Sequence, residues 1–274
     1  MTDFFRKNKL ALAGFVIVTA LAFVAVFAPW LTPYDPADQQ LMNRLEGPSW
    51  NHPFGNDELG RDILSRILLG ARVSMRVGAT VVLLCVITGV LIGGLAGYVG
   101  GKLDTFLTVV VINSLLAFPS ILLAIALVAF LGPGLDRLIF ALTVVGWVGY
   151  ARLARGQVLK IKTLEFVEGA RALGASGLRI FISHILPNII QPILIQASIG
   201  MAGAILAEAS LSFLGLGIAP PVPSWGSMLN DARNHLFDAP HMVIFPSIAL
   251  VMTVLSFNFL GDALRDWLDP RKLG

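Results

Sequence analysis

Any chemistry in this chain must be built from four histidines, His52, His184, His235 and His241, one cysteine, Cys85, and a few polar residues set inside long apolar runs. There is no His-Glu-x-x-His pair, no Gly-x-Ser-x-Gly elbow and no Walker glycine loop, so the chain itself offers no metallohydrolase site, serine nucleophile or nucleotide-binding loop. His52 with Asp57, Glu58 and Asp62 could in principle hold a metal; the plainer reading is a solvated or salt-bridged loop. Cys85 lies within an apolar run, where a small buried hydrophobe is expected and not a reactive thiol. Asn113, Ser114, Gln191, Gln196, Ser198 and Asn258 are scattered through the apolar runs, without the facing acids and bases of a proton-coupled carrier or an intramembrane enzyme. Glu208 comes closest, sharing a helical face with Met201, Ala204 and Ser212. Two roles stay open for it: a gate or pathway residue, or a carboxylate that reaches the membrane interface or hydrogen-bonds a neighbouring helix.

The elements carrying these residues are set by composition. Of 274 residues, 56% are hydrophobic and 14% charged, against about 25% charged in a soluble domain, and mean hydropathy is +0.79. Such a chain needs lipid as solvent. Its net charge of +3 is dispersed and forms no basic stripe, which argues against a nucleic-acid partner. Residues 10–31 carry no charge and, at about 1.5 Å per residue, can cross a hydrocarbon core of roughly 30 Å; the run is too long for the apolar region of a signal peptide. Further spans are expected at 77–98, 106–131, 138 to 150 or 154, 189–207 and 242–260.

The expected fold is therefore an all-α integral membrane protein of six transmembrane helices. Placing the N-terminus inside puts most of the basic residues on the inner side, among them Arg6, Lys7, Lys9, Arg152, Arg155, Lys160, Lys162, Arg271 and Lys272, so both termini are assigned inside. The chain divides into a tail and first span (1–31), an outer loop with an amphipathic segment (32–76) and a core of five spans (77–274), which contains an inner loop at 158–188. Gly89, Gly93, Gly97 and Gly101 form a ridge on which a second helix can pack closely. Pro119 and Pro246 are expected to bend their helices.

The inner loop reads as helix, turn, helix. Thr163 is the expected N-cap, Glu165 and Glu168 lie in the first turns, Gly174 stops the first helix and Pro187 ends the second. Phe166, Ala170 and Leu173 recur at helical spacing and give a short amphipathic face. Physics alone leaves two roles for it, docking into a partner protein or lying along the membrane surface.

Here the sequence resembles the permease subunits of binding-protein-dependent ABC importers. Glu168-Gly169-Ala170, then Gly174, then Ile185-Leu186-Pro187 is similar to their cytoplasmic-loop signature, with glycine for the middle alanine and an Ile-to-Pro spacing one residue shorter. Other segments resemble the C-type subunit of the dipeptide and oligopeptide branch: His52-Pro53-Phe54-Gly55-Asn56-Asp57-Glu58-Leu59-Gly60-Arg61-Asp62-Ile63-Leu64-Ser65-Arg66, Gly70-Ala71-Arg72-Val73-Ser74, Ser212-Phe213-Leu214-Gly215-Leu216-Gly217, Pro220-Pro221-Val222-Pro223-Ser224-Trp225-Gly226, and Phe257-Asn258 through Gly261-Asp262-Ala263-Leu264-Arg265-Asp266 to Leu268-Asp269-Pro270. The resemblance runs nearly end to end.

The resemblance implies a bacterial inner-membrane subunit that pairs with a second, homologous permease to enclose a pathway. Two cytoplasmic ATPase subunits would dock beneath and bind ATP and Mg, so this chain would hold no cofactor or metal and perform no catalysis. The coupling helix would comprise Glu165, Glu168, Gly169, Ala170, Leu173, Gly174, Ala175 and Ser176. Glu208, Met201, Ser212 and Asn113 are the pathway or gate candidates. A solute-binding protein would be received near Asp57, Glu58, Arg61, Asp62 and Trp225; alternatively these segments are structural lids, with Trp225 anchoring at the interface. Di- or oligopeptides are the expected cargo, nickel or glutathione the near alternatives, and a self-contained channel or secondary transporter the rival from another class.

Overall fold

The structure, a computed structural model, describes residues 8–268. Arg6, Lys7, Arg271, Lys272 and the Asp269-Pro270 part of the last motif lie outside the described residues. Helix α1 (Lys9–Leu31) starts where the Asn8 side chain accepts a hydrogen bond from the Ala11 N–H at 3.1 Å. α2 (Ile63–Val99) is capped by Asp62, whose carboxylate accepts from the Ser65 N–H at 2.7 Å. These caps satisfy amide groups that the first helical turn leaves without partners. There follow α3 (Gly101–Leu116), α4 (Ser120–Leu131), α5 (Leu135–Ile161), α6 (Glu165–Ala172), α7 (Gly177–Phe213), α8 (Trp225–Ala232) and α9 (His241–Leu268). Among the described residues no β-strand forms, only an isolated bridge between Asn56 and Asp62.

Among the described residues five helices are long and apolar enough to cross a membrane, six spans in all if α3 and α4 count as one. Large apolar side chains such as Phe23, Leu83, Leu91 and Phe130 point outward, as expected where lipid replaces water around a bundle. The helices share two ends. Residues 32–62 and 214–240 gather at the end where α1 and α7 finish and α2, α5 and α9 begin. The α6 hairpin lies at the opposite end: Gly177 packs on Tyr98 near the close of α2, and the Gln191 amide donates to the Leu268 carbonyl at the close of α9.

The principal helix pair is α2 with α5, and glycine makes it possible. A Cβ at Gly93 would collide with the Ala151 carbonyl, and one at Gly89 would press on Tyr150 and Ala151. Gly97 meets Arg155 and Val158 in the same way. Three of the four ridge glycines thus serve this seam; Gly101 lies past the helix end in open space with φ +60°. Around the seam, Val77, Val81, Leu138, Leu142, Val148 and Leu211 form one buried cluster. A second, with Ile63, Ile205, Trp225 and Met242, joins α2, α7, α8 and α9.

Several local expectations change. The third span is broken at Pro119, not merely bent: α3 and α4 meet at 82°. Pro119 lacks an N–H and disfavours helix at the residue before it, and its own ψ of 122° turns the chain out of the helix. Pro187, in contrast, does not end the second loop helix, which continues into the expected fifth span as α7. A π-helical stretch, Phe181–Ile185, precedes it and re-registers the hydrogen bonds around the missing donor. Pro246 lies inside α9, close to its start. Thr163 is not the cap of α6: that position is Leu164, and the Thr163 hydroxyl donates to the Lys160 carbonyl at 3.0 Å.

Candidate functional site

The hairpin is shaped by a small number of backbone bonds. α6 ends in a left-handed Gly174 with φ +82°. The Gly174 N–H donates to the Arg171 carbonyl at 3.0 Å and the Ala175 N–H to the Ala170 carbonyl at 3.1 Å, which is the Schellman closure. Ser176 caps the next turn by accepting from the Arg179 N–H at 3.4 Å. Val167 is fully buried and, with partly buried Ala170 and Ala175, fixes the hairpin to Ile161, Ile180 and Ile185. Glu165, Glu168, Gly169, Gly174 and Ser176 remain exposed. So do Phe166, Leu178 and above all Leu173, at 91%. The helix is amphipathic as expected, but the side held by the body is Val167, leaving Phe166 and Leu173 as an uncovered apolar face.

Just above the hairpin, Arg155 on α5 grips Asp104 on α3 with both arms, Nε to Oδ1 at 2.5 Å and Nη2 to Oδ2 at 2.7 Å. Lys162 Nζ donates to the Gly97 carbonyl at 2.7 Å and ties the end of α5 to α2.

Towards the other end, Glu208 is wholly enclosed. Ser212 donates to its Oε1 at 2.8 Å, and Ser74 on α2 to its Oε2 at 2.9 Å. The structure thus brings Glu208 and Ser212 together as their helical spacing suggests. It adds Ser74, the last residue of the Gly70-Ala71-Arg72-Val73-Ser74 motif, to which the sequence assigned no role. Met201 packs near Gly78 on the same side of α7, whereas Asn113 is exposed on α3. A cavity of about 300 Å³ between α2, α4, α5 and α7 is lined by Val81, Cys85, Ser120, Tyr150 and Gln196.

The lobe built from residues 32–62 and 214–240 is held by charge. Asp57 accepts from Arg61 Nε at 2.6 Å and from the Arg61 and Leu59 amides at 2.9 Å. Asp231 on α8 receives Arg61 Nη2 at 3.2 Å and Arg66 Nη2 at 3.3 Å. Burial pushes the Asp231 carboxyl above its ordinary value, and Arg66 and Arg61 oppose the shift. Asp62 meets His52 Nδ1 at 2.9 Å while capping α2. Trp225 is fully buried, its indole N–H donating to the Ile67 carbonyl at 3.1 Å beside Gly70.

Asp57, Arg61, Asp62 and Trp225 are therefore buried inside the lobe, where they fasten its parts to one another. Glu58 alone of the five stays half-buried at the surface, where its carboxylate lies 3.5 Å from His235 Nε2. His235 Nδ1 in turn meets Asp238 at 2.9 Å, and these acids, Asp238 first, raise the His235 pKa. Among the described residues no group of three or more His, Cys, Asp and Glu is placed to hold a metal ion.

A bundle of apolar spans with an ion-paired lobe at one end and an exposed amphipathic hairpin at the other defines a polytopic membrane protein. Residues 89–274 match the family described as binding-protein-dependent transport system inner membrane component, and residues 3–48 match the N-terminal TM domain of oligopeptide transport permease C. The chain is 46% identical over 266 residues to the dipeptide transport system permease protein of Alkalihalophilus pseudofirmus, covering 97% of this chain and 87% of that protein. It is 45% identical over 268 residues to the glutathione transport system permease protein of Pectobacterium atrosepticum, covering 97% and 89%. The counterpart from Escherichia coli O1:K1 is 45% identical over 271 residues, covering 98% and 89%. The chain belongs to the binding-protein-dependent transport system inner membrane component family. It is an inner-membrane permease component of an ABC importer.

Proposed function

We propose that this chain forms half of a translocation pathway for short peptides, beside a second, homologous permease, and that two ATPase subunits drive it through the α6 hairpin. The carrying observation is the exposed face of Phe166, Leu173 and Leu178, held rigid by Val167 and the Gly174 turn at the end opposite the charged lobe. A membrane-surface role would suit the same apolar face, but Glu165 and Glu168 lie exposed on the same short helix, which favours a protein groove over an anionic lipid surface. The coupling residues are Glu165, Glu168, Gly169, Ala170, Leu173, Gly174, Ala175 and Ser176. ATP and Mg are bound and used by the partners, and this chain catalyses nothing.

In this reading α3 and α4 make one broken span, giving six, with the hairpin and both termini in the cytoplasm and the lobe outside. The basic residues at the hairpin end support that orientation. The working division is 1–31, 32–76 and 77–274, with the coupling loop at 158–188. Glu208, Ser212 and Ser74 hold α7 to α2 at the outer end of the pathway, with Met201 and Asn113 further along it. The lobe receives the solute-binding protein, and Glu58 is the one of its five candidates still open to contact.

Nearly equal identity to dipeptide and glutathione permeases favours peptide-like cargo over nickel and keeps glutathione, itself a peptide, as the second reading. Uptake of a labelled dipeptide, with and without excess glutathione, separates the two. The coupling assignment is tested with Gly174→Leu, which forces a side chain into φ +82°, and with Leu173→Asp. Both variants should insert normally. Gly174→Leu should lower uptake per ATP hydrolysed, and Leu173→Asp should release the ATPases during purification. Wild-type values in both would remove the hairpin from the coupling role.

A further inference from the structure

Helix α3 is a strut between two joints. At one end Gly100 and Gly101 take φ of +73° and +60°; at the other the chain breaks at Pro119. Phe106–Ile112 within it is π-helical, and only Ile112 in that stretch is buried. Phe106, Val109 and Val110 face outward, so little apolar packing from this chain fixes the strut. Its firmest hold is polar, the two-armed grip of Arg155 on Asp104, with Thr108 adding a hydrogen bond to Asp104 at 3.1 Å. The side chains of Arg155 and Asp104 are only 29% and 16% exposed, so salt screens the pair less than it would a surface pair. Arg155 stands two turns before Lys162, where α5 gives way to the hairpin.

We propose that the Asp104–Arg155 pair is the linkage through which the hairpin moves the broken α3–α4 span, making both side chains positioning residues for transport. The inference rests on the reading of the hairpin as the ATPase-docking element. A planar guanidinium fork on a carboxylate fixes orientation as well as distance. Rotation of the end of α5 is therefore delivered to α3, which can follow because both its joints are free to turn. A lysine at 155 would keep the charge and lose the fork, so the linkage depends on arginine.

The test uses the complete transporter in proteoliposomes, reading uptake per ATP hydrolysed with loaded binding protein. Asp104→Asn and Arg155→Lys should each lower that ratio about tenfold, and the double variant Asp104→Arg with Arg155→Asp should restore most of it. Spin labels at exposed Val109 and Leu95 give an independent readout. The distance between them should change on ATP binding in the wild type and stay fixed in Arg155→Lys. Wild-type ratios in the single variants, a charge swap no better than they are, or a label distance that still responds in Arg155→Lys would each overturn the linkage. A wild-type complex whose ATPase ignores the binding protein would instead fail the underlying reading and take the linkage with it.

Discussion

Trp225 shows how a residue can carry a family motif and still be spent on packing. Its ring is enclosed between α2, α8 and the Gly70 backbone, and its indole N–H is satisfied by Ile67. Trp225→Ala should cost about 3–5 kcal/mol, and Trp225→Phe, which loses the hydrogen bond and leaves part of the indole's space empty, about 1–3 kcal/mol; thermal unfolding in detergent checks both. His235 is placed to sense pH. Asp238 first, then Glu58, raise its pKa above the ordinary histidine value of 6.5. The stabilisation is thus fully present below about 6.5 and is lost as pH rises through the raised folded value. Protection of the amides in residues 57–60 and 233–240, taken relative to their intrinsic exchange rates at each pH, should fall over that window, and His235→Gln should remove that fall. The charged residues of the first loop were legible as a group but not as a network. Arg61 and Arg66 reach Asp231, 170 and 165 residues away, and no local spacing can show that such charges neutralise one another inside a fold.

At the scale of elements, the glycine ridge was legible in spacing alone, and the structure names its partner as α5. Gly93→Leu must drive α2 and α5 apart against the Ala151 backbone. It should cost about 1–3 kcal/mol or more, measured as a lower melting temperature, whereas substitution at Gly149, which has no neighbour within 4 Å, should be tolerated in the isolated chain. The amphipathic hairpin and its Gly174 turn were also readable, because a Schellman closure is local. The prolines were not. Pro119 breaks a span and Pro187 does not; before Pro187 the turn widens to a π-helix, Phe181–Ile185. That choice depends on what packs around the turn. The uncovered face also moved: Ala170, expected beside Phe166 and Leu173, turns partly inward with Val167 because the body packs against that edge.

For the whole molecule, the six apolar runs, their order and the family were all visible in the sequence, since lipid solvation imposes a strong and local signal. Which residues line a pathway was not, because in one chain by itself the sides facing lipid and the sides facing a partner are alike apolar and exposed. The central claim is that this chain works only as part of an assembly driven from its hairpin. The most direct measurement is to tag it at its native locus, extract it in mild detergent and identify by mass spectrometry what co-purifies. A second six-span permease and ATPase subunits should be recovered, the latter lost from the Leu173→Asp variant. Recovery of this chain alone as a stable homo-oligomer, active in transport without ATP, would contradict it.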